Sequence, residues 1–347
     1  MRLRKGKHWL AVAICAALLT MLSGCAASGE LNRYQFSSLE LFDTVTVITG
    51  FAEDEASFRE KADALLEELT VYHRLCDIYH EYEGMNNAKT INDRAGGKPV
   101  RTDARLIGLL SFARNLCLET GGKTDITLGA MLRLWHEARE KGIANPETAA
   151  PPEKEPLKEA MAHTGVELLE IDEAEGTVRL TDPEASLDLG AVAKGYAVQR
   201  VCEGFESGWL VNVGGNVYAT GPKAGNGGSW TVGIQDPDGS GSDFLHAVTL
   251  EKGAVVTSGD YQRYFEADGK RYHHLIDPET QQPGGLWRSV SVLHEDSGTA
   301  DGMSTALFLM TREEGEALLK KLGGEACWIA KDGEMFCTVG YLERIRK

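Results

Sequence analysis

Residues 209–220 read Trp-Leu-Val-Asn-Val-Gly-Gly-Asn-Val-Tyr-Ala-Thr. Two β-rich runs, 209–213 and 216–220, flank a two-residue glycine turn, which is hairpin spacing. Runs of the same kind continue on both sides. Upstream lie 166–171, 176–181 and 185–189; downstream lie 230–235, 244–250, 254–257, 260–266, 271–276 and 289–294. One helix, 191–204, interrupts them. Two more, 299–310 and 312–322, come late, and two short strands close the chain. Toward the N-terminus the periodicity changes from two to 3.6. A strand at 44–49 precedes a helix over 54–75, with Phe58, Ala62, Leu65, Leu66, Leu69 and Tyr72 on one face. Helices are also expected over 103–119 and 128–141, and the Pro-rich, charged segment 145–156 reads as a loop. Helices segregated from closely spaced strands predict an α+β fold with mixed or antiparallel sheets and packed helices. No short-period repeat is present.

The 347 residues are 42% apolar and 25% charged, an ordinary globular composition that excludes a disordered or polytopic membrane chain. Net charge is −16, so broad nucleic-acid binding, which needs clustered cations, is not expected. Arg2, Arg4, Lys5 and Lys7 precede an apolar core from Trp9 to Leu22, then Leu22-Ser-Gly-Cys25. That order reads as a secretory signal rather than a spanning helix. Its ending is similar to a bacterial lipoprotein signal, with Cys25 as the lipidated first residue. Residues 1–24 are then a signal peptide and 25–39 a short polar tether. Lipidation would leave the mature chain anchored on the extracytoplasmic face of the cell membrane, or on an outer membrane, each buried CH₂ contributing about 0.8 kcal/mol. Losing the four signal cations takes the net charge to −20. Besides Cys15 and Cys25, five cysteines remain: Cys76, Cys117, Cys202, Cys327 and Cys337. An odd number without regular spacing argues against a full disulfide framework, the lack of C-x-x-C leaves a zinc ribbon or thioredoxin motif unsupported, and buried free thiols are expected.

Phosphate-loop, dinucleotide-fingerprint, G-x-S-x-G and H-E-x-x-H motifs are all absent. What remains is a set of polar residues in apolar or Gly-rich settings. Asp188 lies in Ser186-Leu-Asp-Leu-Gly-Ala-Val-Ala-Lys-Gly-Tyr196, a strand end, a tight turn at Gly190 and a helix start. It can serve a ligand or simply cap the helix. Asp301 and Thr305, in Thr299-Ala-Asp-Gly-Met-Ser-Thr305, are i and i+4 on one helix face. A carboxylate beside a hydroxyl suits a hard cation, and again capping is the simpler alternative. His274 stands in an apolar hairpin near Asp277 and can take a proton near neutral pH, although a lone strand histidine is more often structural.

Taken in order, these segments resemble the ApbE family, the FAD:protein FMN transferases. The stretches that carry the resemblance are Phe42-Asp-Thr44, Gly122-Lys-Thr-Asp125, Leu187 to Ala197, Leu210-Val-Asn-Val-Gly-Gly215 and Trp230 to Pro237. They continue with Val256 to Phe265, Tyr272-His-His-Leu-Ile-Asp-Pro278, and Thr299 through Leu307. The resemblance spans about 40–340 and implies a two-lobed single catalytic domain, T-fold-like, over 40–345. It implies Mg²⁺-dependent transfer of FMN from FAD to a Thr or Ser hydroxyl of a target flavoprotein through a phosphoester, with release of AMP. Asp301, Thr305 and the Ala191 carbonyl would hold the metal. FAD would be contacted by Phe42, Tyr79, Lys123, Thr124, Asp125, Asp188, Lys194 and Ile276, and His274 would be the base. Implied partners are FMN-accepting subunits of Rnf or sodium-pumping quinone reductase type, or secreted flavin reductases. Alternatives are a Mg²⁺-dependent FAD pyrophosphatase giving FMN and AMP, and a non-catalytic FAD-binding lipoprotein. The sequence departs from the family pattern at Thr124, where Phe is usual, at Ala191, where a second Gly is common, in the segment 80–84, and at Asn216, where an acid is frequent.

Overall fold

The computed structural model describes residues 31–225, 227–239 and 243–346. The signal segment and Cys25 lie outside the described residues. β1 (Asn32–Leu41) pairs antiparallel with β2 (Thr44–Ala52) across a turn at Phe42 and Asp43, both at positive φ. β1 therefore takes up the second half of the stretch expected to be a tether. Tyr34 and Phe36 share one face at period two and pack on the core, Tyr34 stacking on Phe58.

α1 (Glu55–Cys76) buries Phe58, Ala62, Leu65, Leu69 and Tyr72, the face expected from their spacing, and Asp54 caps it by accepting from the Ser57 amide. Then come α2 (Ala88–Asp93), β3 (Val100–Arg101), α3 (Ala104–Glu119), α4 (Gly129–Ala144), α5 (Lys154–Met161), β4 (Leu169–Asp172), β5 (Thr177–Leu180) and α6 (Ala193–Cys202). The expected loop 145–156 contains a 3₁₀ turn, Pro146–Thr148, and the start of α5. The strand half follows: β6 (Leu210–Val213), β7 (Asn216–Ala219), β8 (Trp230–Gln235), β9 (Phe244–Leu250), β10 (Gly253–Gly259), β11 (Tyr264–Ala267), β12 (Lys270–His273), β13 (Ile276–Asp277), β14 (Gln282–Pro283) and β15 (Trp287–His294). α7 (Ser297–Leu309), α8 (Arg312–Leu322), β16 (Glu325–Ala330), β17 (Met335–Cys337) and α9 (Val339–Arg344) complete the chain.

The main sheet has eight strands in the order β1-β2-β6-β7-β10-β15-β16-β17, with antiparallel neighbours throughout. The excursion between β2 and β6 carries α1 to α6, which gives the α+β segregation. Both faces of the sheet centre are covered. Tyr218, Val256, Val292 and Trp328 face the large helical core, while Val217, Val255, Leu293 and Ile329 face a second core under the β8–β9 hairpin. A third, smaller core joins α4 to β11 and β12 through Trp135, Phe265, Tyr272 and Ile276. The rings of Trp135, Tyr272 and Phe265 stack in sequence at 5.9 and 5.3 Å. This third core forms the second lobe.

Three further expectations change. Residues 185–189 do not join a ladder, because side chains and loops satisfy their backbone: the Asn92 carboxamide accepts from Leu187 N–H and donates to its carbonyl, while Asp188 N–H donates to Ile126. The run 271–276 breaks into two strands at His274 and Leu275. His273 causes the break: it is buried, its Nδ1 accepting from Leu275 N–H and its Nε2 donating to the Gly284 carbonyl. Cys327 and Cys337, expected to be free thiols, face each other across the β16–β17 pair and form a disulfide. Cys76, Cys117 and Cys202 are free, as expected.

Candidate active site

One cleft of about 1290 Å³ opens between the helical core and the α4 lobe. Pockets for drug-sized ligands run roughly 300–1,000 Å³, so this one has room for a dinucleotide. Phe42, Tyr79, Lys123, Thr124, Asp125, Asp188, Ala191, Lys194, His274, Ile276, Asp301 and Thr305 all line it. Residues scattered over more than 260 positions of sequence are thus brought to one surface.

Asp301 sits five residues into α7 and is 4% exposed. It does not cap that helix; Asp296 does, accepting from the Thr299 amide. Instead its Oδ2 accepts from Gly195 N–H, a free donor in the first turn of α6, at 2.8 Å, and its Oδ1 from Asn216 Nδ2 at 3.2 Å. The contact requires glycine: a Cβ on Gly195 would lie 2.3 Å from the Ser297 carbonyl and 2.4 Å from Asp301 Cβ. Burial raises the Asp301 carboxyl above the usual carboxylate range, opposed by Lys194, Gly195 N–H and Asn216. Thr305, one turn on, holds its Oγ1 3.5 Å from Ser258 Oγ on β10. Asn216 Oδ1 is buried without a hydrogen-bond partner. Such an acceptor ordinarily costs about 1–3 kcal/mol.

Asp188 does not cap α6 either; its Oδ1 accepts from Gly190 N–H, folding the turn before the helix. Burial raises its carboxyl as well, and that of Asp125, whose Oδ1 is held by Thr127. Lys194 donates to the Gly190 carbonyl. Lys123 is paired to Asp277 and Glu279, each at 2.9 Å. Burial alone would lower its ammonium; those two carboxylates outweigh it and raise it. Asp277 therefore serves Lys123, not His274. Thr124 is buried, its hydroxyl bonded to that of Thr120.

His274 follows β12 with its backbone N–H on the Arg263 carbonyl. Its side chain is exposed to solvent in the open cleft, with the cleft walls on either side. Desolvation by those walls, then Arg263, His273 and Lys194, hold its imidazole well below the usual histidine range. It is neutral at pH 7 and able to accept a proton. Phe42, in the strained β1–β2 turn, meets His73 edge-on at 5.4 Å and donates its N–H to His73 Nδ1. Tyr79 is 55% exposed and lies against His136.

The ApbE family model matches residues 42–329. The chain belongs to the ApbE family. It is 31% identical over 359 residues to an FAD:protein FMN transferase of Treponema pallidum, covering 98% of this chain and 96% of the relative. The crystal structure of the ApbE protein from Thermotoga maritima superposes with TM-score 0.79 at 30% identity, over 91% of this chain and all of that one. The flavin transferase ApbE from Vibrio cholerae gives 0.74 at 25% identity, over 91% and 100%. On this ApbE fold the cleft also presents Arg263, His136 and Arg139, which reading the sequence passed over, and Asn216, which it noted only as a departure from the family pattern. Arg263 and Asn216 stood inside or beside quoted motifs. His136 and Arg139, three apart on α4 and joined at 3.0 Å, had no motif to mark them.

Proposed function

We propose that this chain is an FAD:protein FMN transferase that moves FMN onto a Thr or Ser hydroxyl of a flavoprotein and releases AMP. The observation that carries this reading is a dinucleotide-sized cleft with a neutral histidine and, in its wall, a buried Asp301 one helical turn from a half-buried Thr305. Attack of the acceptor oxygen on the FMN phosphorus forms the new P–O bond. The diphosphate P–O bond breaks and its electron pair leaves with AMP. His274 takes the proton of the incoming hydroxyl. Lys194 and Arg263 place positive charge in the same cleft for the phosphates. Most of the work is positioning and charge stabilisation, since phosphoryl transfer asks for little covalent chemistry.

Asp301, Thr305 and the Ala191 carbonyl fit a hard divalent cation such as Mg²⁺: all three donors are oxygens, and the Asp301 carboxylate is buried with no cationic side chain bonded to it. Among the described residues no group of three His, Cys, Asp or Glu side chains is arranged to hold a metal; the fitting set relies on a hydroxyl and a carbonyl instead. When bound, the cation supplies positive charge against the diphosphate oxygens.

The test is mass spectrometry of an acceptor-domain protein incubated with enzyme, FAD and Mg²⁺. One added FMN on a Thr or Ser supports the reading; an unmodified acceptor with free FMN in solution selects the pyrophosphatase instead. The solvent contact of His274 favours that second reading, since water can reach the same base. We further propose a membrane-anchored, extracytoplasmic protein lipidated at Cys25, acting on flavoprotein subunits of Rnf or sodium-pumping quinone reductase type or on secreted flavin reductases. The signal-like N-terminus supports this, as does the Cys327–Cys337 disulfide, since such bonds persist in oxidising compartments.

A further inference from the structure

Asn216 opens β7 immediately after the Gly214–Gly215 turn, and its placement is tightly constrained. Gly214 has φ 57°, and a Cβ there would meet Thr44 Oγ1 at 2.5 Å. Gly214 N–H donates to Val45, and Gly215 N–H to the Asn212 side chain at 2.9 Å. Asn216 is paired with Val213 on one side and Val256 on the other, and its side chain is 1% exposed. Asn216 is among the residues that line the cleft, with Asp301, Thr305 and Ala191. Its Nδ2 donates to Asp301 Oδ1, which settles the orientation of the carboxamide: the reverse would set one oxygen against another. The carbonyl oxygen is then left buried without a partner in the protein. Buried polar groups are nearly always satisfied, so an orphan beside a ligand cleft is a candidate partner for a bound ion or water.

We propose that Asn216 is a further arm of the cation site: Nδ2 fixes the Asp301 carboxylate, and Oδ1 gives an uncharged oxygen to a divalent cation, directly or through one water. This rests on the cation reading of Asp301 and Thr305. Its consequence is electrostatic. With Asn216 neutral, Asp301 is the single negative charge among these arms, so a divalent ion is only half neutralised by protein. The FAD diphosphate supplies the rest, and cation and dinucleotide bind cooperatively. An acid at position 216 would loosen that coupling by holding the ion without the dinucleotide.

Mn²⁺ titration of the full chain, followed by the electron paramagnetic resonance of the free ion with and without FAD, tests this. Wild type should bind Mn²⁺ weakly alone and at least tenfold more tightly with FAD. Asn216→Ala should weaken Mn²⁺ binding in the presence of FAD at least tenfold, with a metal-free melting temperature close to wild type. Asn216→Asp should tighten Mn²⁺ binding without FAD at least tenfold, shrink the FAD enhancement, and make the melting temperature rise with Mn²⁺ more than in wild type. If Asn216→Ala does not fold, Asn216→Asp decides alone. Wild-type Mn²⁺ affinity in the Asn216 variants, with binding lost in Asp301→Ala, would overturn the role of Asn216 and leave the cation site standing. Unchanged binding in Asp301→Ala would remove the cation site and this inference together.

Discussion

His274 owes its chemistry to where the fold leaves it. It directly follows β12, next to buried His273, and lines the cleft as Tyr272 does two residues before it. His274→Ala should cut FMN transfer by roughly 10²–10⁴-fold, the usual worth of a general base, while FAD binding by equilibrium titration is kept. Unchanged transfer would remove it from the role. The depressed imidazole also makes a pH statement. The free enzyme holds His274 neutral below the ordinary histidine range, so the acid limb of kcat/KM should fall below pH 6.5. The same shift bears on stability. The folded value lies below the unfolded one, so between the two the unfolded chain binds a proton that the folded chain does not. Stability is therefore lost as pH falls through the ordinary histidine range. Solvent screening at the exposed His274 keeps its share small, so His274→Gln should flatten that loss only slightly in denaturant titrations between pH 7 and 5; most of it belongs to the buried His273 and the half-buried His73 and His246, which burial shifts the same way.

At the scale of elements, α6 and α7 are locked at the point where Gly195 meets Asp301 and Ser297. The glycine lets the two backbones approach and leaves its N–H for the carboxylate. Gly195→Ala should cost about 1–3 kcal/mol through overpacking, more than the ~1 kcal/mol of helix propensity it gains. Thermal melting should show the loss, and cation-dependent turnover should fall with it, since the added methyl displaces Asp301. Turnover and melting temperature equal to wild type would show that the contact is looser than it stands here. The periodicity of α1 and α3 was legible, since one face of each is buried against a single core, whereas α7 is buried nearly all round and was legible from its apolar run instead. β1 was not legible, because its apolar positions are few and half of it is polar and exposed; pairing with β2 supplies what its composition does not. Residues 185–189 looked like a strand and are not one, because the partner for that backbone is the side chain of Asn92, about 95 positions away.

In the whole molecule the cleft draws its walls from the helical core and from the α4 lobe, so a dinucleotide bound there touches both. FAD at 100 times its Kd should raise the unfolding free energy by about 2.7 kcal/mol, seen as a shift in Tm. The shift should persist in His274→Ala; a ligand seated elsewhere would leave it insensitive to changes at Lys194 or Arg263. By itself the sequence determined the α+β class, the helix faces, the Asp301–Thr305 spacing and the ordered motifs of the family, because local periodicity and short-range geometry are written along the chain. Only the tertiary structure decided that Lys123 is held by Asp277 and Glu279, that Cys327 and Cys337 meet, and that Asn216 reaches Asp301 with its carbonyl unpartnered. Those facts depend on which distant groups become neighbours after the sheet closes, and burial and partnership are set by that closure, not by the order of residues.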